Sequence, residues 1–213
     1  DIGNWDTNNV VNIESAFQSA TAFNQDLSKW DVREVLDMES TFRDATAFNN
    51  GSNSRTNPLS GRTGLNGWRP IKTTRMDYMF SGATSFNRDL NDWETNDLEK
   101  VSNLFLGASA FNGTLNGWNM SEVTDMTNMF REAVLFNQYI GDWNTIKVET
   151  MDNMFYSAGD FNQDISKWNT SNVLLMNHMF RSAASFNNGD DTNVNTGSTG
   201  DTSSRSGING WNL

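Results

Sequence analysis

The chain has no cysteine, one histidine, two prolines and only 15 basic residues against 26 acidic ones. Each shortage removes a class of function. Without cysteine there is no disulfide framework, no thiolate metal site and no thiol nucleophile. A single histidine removes His-pair metal sites and leaves little with which to build a catalytic triad. The net charge of −11 opposes a phosphate backbone, so nucleic acid is not an expected partner. No apolar run approaches the length of a membrane span, and the N-terminus does not read as a signal peptide. In excess are 31 asparagines, 14 phenylalanines, 10 methionines and 8 tryptophans among 213 residues. So many large apolar side chains argue for a packed core and against disorder.

The excess is periodic. Tryptophan recurs at Trp5, Trp30, Trp68, Trp93, Trp118, Trp143, Trp168 and Trp211. Five of the seven intervals are 25 residues, and the other two are 38 and 43. A Phe-Asn pair recurs at Phe23-Asn24, Phe48-Asn49, Phe86-Asn87, Phe111-Asn112, Phe136-Asn137, Phe161-Asn162 and Phe186-Asn187. Each pair has an alanine three residues before its Phe and a second phenylalanine six before it, as in Phe105, Ala108 and Phe111. This is a 25-residue repeat, and one such unit cannot bury its own apolar stripe without stacked neighbours.

Within a unit, Val123, Met126, Met129, Phe130 and Ala133 share the spacing of one helix face, while Thr124, Asp125, Asn128 and Arg131 fill the other. Leu115, Trp118 and Met120 read as a turn into a short strand. The expected fold is therefore an α/β solenoid of about seven strand–corner–helix coils, with tryptophan over tryptophan and phenylalanine over phenylalanine. The asparagine after each Phe, namely Asn24, Asn49, Asn87, Asn112, Asn137, Asn162 and Asn187, is expected to form a structural ladder satisfying backbone groups at a buried corner. Tryptophan and methionine columns at these offsets belong to the core.

The unit Leu115-Asn-Gly-Trp-Asn-Met-Ser-Glu-Val-Thr-Asp-Met-Thr-Asn-Met-Phe-Arg-Glu-Ala-Val-Leu-Phe-Asn-Gln resembles the BspA-like leucine-rich-repeat family. That group includes a repeat domain of unknown function found in mycoplasma-type surface lipoproteins and in protist surface proteins. The resemblance implies a leucine-rich-repeat-like solenoid on an extracellular or cell-surface protein, and it carries no catalytic residues. The third unit departs from it, with Arg69-Pro70-Ile71 after its Trp and Thr73 where others have Val or Leu.

Residues 1–213 read as one solenoid domain. Because the chain opens on Ile2-Gly-Asn-Trp5 and closes on Ile208-Asn-Gly-Trp211, the expectation is a piece of a longer array. The two long intervals place insertions at 50–64 and 188–207, both between Phe-Asn and the next Trp, hence on one edge. Such loops are either binding loops or tolerated length drift.

Candidate sites are sparse. Asp191, Asn193, Asn195 and Asp201 alternate oxygen donors as in a calcium loop, but glycine is misplaced and the closing glutamate is missing, so calcium stands against a plain polar loop. No other cofactor is expected. Sequons at Asn50, Asn112, Asn119 and Asn169 are glycosylation candidates in a secreted eukaryotic protein, with Asn112 ranked last for its place in the ladder. His178 stands in a variable polar column with Tyr78, Asn103, Asn128 and Asn153. Asp26, Asp89 and Asp164 share a column that Thr114 and Tyr139 interrupt, which reads as a negative surface. The positions after each Trp run from Asp6, Asp31, Arg69 and Glu94 to Asn119, Asn144 and Asn169, without an aromatic hot spot.

The expected function is non-enzymatic: a surface repeat module for adhesion or protein–protein contact. The alternatives are a filament, hair or coat subunit stacking head-to-tail with its own copies, and a carbohydrate-binding module. The last needs an aromatic side chain outside the core register, for which Tyr139 and Tyr156 are the candidates.

Overall fold

The computed structural model describes residues 1–51 and 54–189. The repeat does stack, but its coils are built from turns. Among the described residues the regular elements are two short 3-10 turns, Ile2–Asn4 and Leu65–Gly67. There is no α-helix and no extended strand among them, which overturns the α/β strand–corner–helix expectation. One residue per coil makes a parallel bridge to the next: Asn12, Asp37, Arg75, Lys100, Asp125, Thr150 and Leu175. Seven coils are thus joined in sequence order.

Backbone hydrogen bonding explains the correction. Over 126–132 the amides of Met126, Asn128, Phe130 and Glu132 leave their own coil and donate to the carbonyls of Thr150, Asp152, Met154 and Tyr156, at 2.8–3.0 Å. The amides between them, on Met129 and Arg131, close local turns onto Met126 and Asn128 at 3.1 Å. An α-helix would need every amide to reach four residues back within its own coil. Here alternate amides are spent on the neighbour, so helical bonding cannot propagate. The backbone also reverses hand at two points per coil. Asn128 has φ of +56° and Glu132 of +60°, and Asn103, Asn153 and His178 occupy the same column as Asn128 in the same left-handed region. Left-handed single residues are compatible with tight turns and incompatible with a right-handed helix.

The inward residues are nonetheless those the helical spacing selected. Val123, Met126, Met129, Phe130 and Ala133 are all fully buried. Two successive three-residue turns place the same offsets on one side that a helix would. Inside the stack, Phe105, Phe130 and Phe155 lie ring over ring at 5.6 Å, and the Phe111, Phe136 and Phe161 column runs beside them at 5.8–5.9 Å. Within each coil the two rings meet closely, as Phe130 and Phe136 do at 3.9 Å. Trp30, Trp68, Trp93, Trp118, Trp143 and Trp168 are buried with the core, while Trp5 in the first coil is exposed. The irregular third unit is accommodated: Thr73 is fully buried and donates its hydroxyl to the Val35 carbonyl at 2.7 Å.

The turn architecture reverses the sign of a common substitution. Gly107 has φ of +68°, and a Cβ there would meet nothing nearer than the Gly82 amide at 4.0 Å. Gly107→Ala is expected to destabilise the protein by about 1 kcal/mol in urea unfolding, through backbone strain alone. In a helix the same change would stabilise by about 1 kcal/mol. Far-UV circular dichroism of the wild type is expected to lack the α-helical double minimum.

Candidate functional site

Most side chains that recur in the repeat are occupied in holding coils together. The indole Nε1 of Trp93, Trp118, Trp143 and Trp168 donates to the carbonyls of Leu65, Leu90, Leu115 and Ile140, at 2.7–3.2 Å. The asparagine ladder runs by side chain to backbone. Asn24, Asn49, Asn87, Asn112, Asn137 and Asn162 each accept, through Oδ1, from the amide of the next ladder asparagine, ending on the amide of Asn187, at 2.7–3.0 Å. The corner is half-exposed where the sequence suggested a buried one, and Asn24 and Asn87 are exposed. Thr95 and Thr145, two residues after their Trp, are buried and donate to the carbonyls of Asn119 and Asn169. After each Trp, Asn119, Asn144 and Asn169 accept from the amide two residues on, capping their own turns. Arg69 and Glu94 form a two-pronged ion pair between neighbouring coils, which holds the Glu94 carboxyl below its usual range.

Both insertions begin with the same turn. Asn49-Asn50-Gly51 and Asn187-Asn188-Gly189 each put the second asparagine and the glycine at positive φ. Asn50 Oδ1 accepts from the Leu27 amide at 2.8 Å, and Asn188 Oδ1 from the Ile165 amide at 3.1 Å. Gly51 and Gly189 donate to the ladder oxygens of Asn24 and Asn162. The Asn50 and Asn188 side chains thus supply the acceptor that the Thr114 carbonyl gives to the equivalent amide of Leu90.

From 54 onward the first insertion folds back on the stack. Thr56 and Thr63 form an antiparallel bridge, and Asn57, buried, donates to the carbonyls of Ser28 and Trp30. Arg55 pairs with Asp1 at 2.7 Å, and Arg62 with Asp92 at 3.1 Å. The insertion therefore ties the first coils to the fourth along one edge.

Beside it, on the edge just before the tryptophans, lies an open polar cleft of about 400 Å³. Its walls include Asn66, Asp89, Asn91, Asp92, Asn116 and Tyr139. Asp92 belongs to both structures: it binds Arg62 of the insertion, and its Oδ2 accepts from Asn66 Nδ2 at 2.9 Å. Asp89 accepts from the amide and hydroxyl of Thr114. Tyr139 donates its hydroxyl to Asp142 at 3.1 Å, and Lys167 reaches Asp142 at 2.7 Å. The hydrogen bonds from Lys167, and then from Tyr139, hold the Asp142 carboxyl below its ordinary value.

The sequence candidates scatter. Asp191, Asn193, Asn195 and Asp201 lie outside the described residues, and among those described no group of three His, Cys, Asp or Glu is placed to hold a metal ion. Asn50 is fully buried and hydrogen-bonded to Ser28, which removes it as a glycosylation site in the folded chain. Asn119 and Asn169 are exposed, while Asn112 is half-buried and engaged in the ladder. His178 is an exposed left-handed turn residue. Tyr156 is sandwiched between Arg131 and Arg181, at 4.8 and 5.7 Å, so both faces are covered. Among the described residues no helix is long and apolar enough to cross a membrane. The cleft itself was missed from sequence. Its signal was the acidic column Asp26, Asp89 and Asp164, whose interruptions at Thr114 and Tyr139 fall in the cleft wall.

A family model described as "Mycoplasma protein of unknown function, DUF285" matches residues 1–57, 59–133 and 112–206. No curated protein matches the chain, and no solved structure does.

The Tyr139–Asp142–Lys167 contact carries a pH signature. A carboxyl depressed in the folded state contributes stability above its unfolded value, about 4, and loses it as pH falls through the lower folded value. In a carboxyl-carbon NMR titration Asp142 is expected to titrate below ordinary aspartates. Lys167→Met is expected to bring it back up, and an unchanged titration would show that the pair does not persist in solution.

Proposed function

We propose that this chain, which belongs to the Mycoplasma family of unknown function DUF285, is a non-enzymatic repeat module of a cell-surface protein that binds partners through its insertion-bearing edge. The supporting observation is the division of labour between side chains. Those that recur, the indoles, ladder asparagines and buried threonines, face neighbouring coils. Those that vary from coil to coil, Asp92, Tyr139 and the insertion, gather on one edge around an open cleft. A scaffold of repeats presenting a variable edge suits recognition. The Met-Phe-x-x-Ala-x-x-Phe-Asn core also resembles that of BspA-like surface proteins, which is the support for a surface location and for adhesion.

Antibody against the protein is expected to label intact cells of the source organism without permeabilisation, and labelling only after permeabilisation would remove the surface reading. Beads coated with the protein are expected to adhere to cell layers. Arg55→Glu with Arg62→Glu breaks the two ion pairs that pin the insertion. This variant is expected to lower adhesion by about tenfold while the melting midpoint moves little, because exposed ion pairs contribute only about 0–1 kcal/mol each. Equal adhesion by the variant would take the binding edge elsewhere.

A further inference from the structure

We propose that the cleft at Tyr139 is a binding site for a neutral saccharide. The inference rests on the reading of this edge as the binding edge and names the chemistry it takes. An open space of about 400 Å³ is of small-ligand size. Its wall excludes most other ligands. No aliphatic side chain lines it, so an apolar ligand would gain little. Asp89 and Asp92 oppose an anion, no cation among the described residues lines the cleft, and Arg62, Arg88 and Lys167 are engaged with Asp92, the Asn49 carbonyl and Asp142. A metal ion has no cluster of three acidic or histidine groups here among the described residues.

What remains suits a neutral polyol. Carboxylates accept from hydroxyls, and carboxamides both donate and accept, so together they match neighbouring hydroxyl groups that do the same. Asn66, Asn91 and Asn116 occupy the same position in three successive coils, two residues before Trp68, Trp93 and Trp118. Those indoles stack at 5.8–5.9 Å, so the amides repeat along the cleft with the coils. Asn66 spends both ends of its carboxamide on Asp92, and Asn91 spends its Oδ1 on the Gly117 amide, so the Asn91 Nδ2 and the Asn116 carboxamide, one coil apart, are left for a ligand. Two like groups in adjacent coils fit a ligand that itself repeats, an oligosaccharide. Tyr139 adds an aromatic ring whose hydroxyl is already held by Asp142 and Lys167. The ring rests against Gly141, where an added Cβ would come within 2.8 Å of it, and the part that lines the cleft is left for the apolar C–H face of a sugar, as amphipathic aromatics at binding sites provide.

The test uses the whole chain with maltotriose, chitotriose and lactose as neutral probes and sialyllactose as an anionic one, read by saturation-transfer NMR and calorimetry. At least one neutral probe is expected to bind with a Kd of roughly millimolar or tighter, ahead of sialyllactose by about tenfold. Tyr139→Ala is expected to weaken it about tenfold, and Tyr139→Phe, which keeps the ring, less than about twofold. Asn116→Ala, at an exposed position, tests the site without disturbing packing and is expected to weaken binding as well. Absence of any neutral-probe signal at about 10 mM, preference for sialyllactose, or binding indifferent to both Tyr139→Ala and Asn116→Ala would overturn the proposal. Adhesion that depends on Arg55 and Arg62 in a protein that binds none of the neutral probes would remove the saccharide and leave the binding edge. Saccharide binding without edge-dependent adhesion would do the reverse.

Discussion

The molecule depends on how its backbone amides are shared. Along each coil one amide closes a local turn and the next crosses to the neighbouring coil, so cohesion along the chain and cohesion along the stack draw on the same row of groups. Two consequences follow. The coil cannot become a helix, because alternate amides are committed elsewhere. It also cannot stand alone, because half of this row has its partners only in the next copy, and unpaired buried amides are costly.

The side chains reinforce that register. Two phenylalanine columns stack through the interior with tryptophans beside them, and the indole N–H of each tryptophan from Trp30 to Trp168 is satisfied by a carbonyl of an earlier coil. On the corner, the asparagine ladder performs with a carboxamide what a backbone carbonyl does elsewhere. Where an insertion interrupts the corner, a second asparagine and a glycine take left-handed conformations and restore the missing bonds. Length can therefore vary at this edge without disturbing the stack, and this is also the edge where the cleft lies.

Much of the site was within reach of the sequence, but in the wrong form. Tyr139 was legible as an aromatic outside the core register. Tyr156 looked equivalent, and only its placement between Arg131 and Arg181 distinguishes the two. Asn50 read as an acceptor for a glycan, whereas its burial against Ser28 makes it part of an insertion exit. The first insertion read as a loop, yet Asn57, Arg55 and Arg62 bind it to the first, second and fourth coils. These contacts span 22 to 54 positions, and a one-dimensional pattern holds no record of them.

The sequence by itself determined the repeat, its 25-residue length, the stacking of like on like, the identity of the inward residues and the places where insertions interrupt them. These follow from periodicity, which is a property of the chain alone. Tertiary structure decided the secondary structure and the site. The spacing of Val123, Met126, Met129, Phe130 and Ala133 satisfies a helix and a succession of turns equally well. The choice between them was made by the carbonyls of Thr150, Asp152, Met154 and Tyr156 in the next coil, which take the amides a helix would have kept. The asparagines at 103, 128 and 153 marked the left-handed positions in advance, but their meaning emerged only once neighbouring coils were in place.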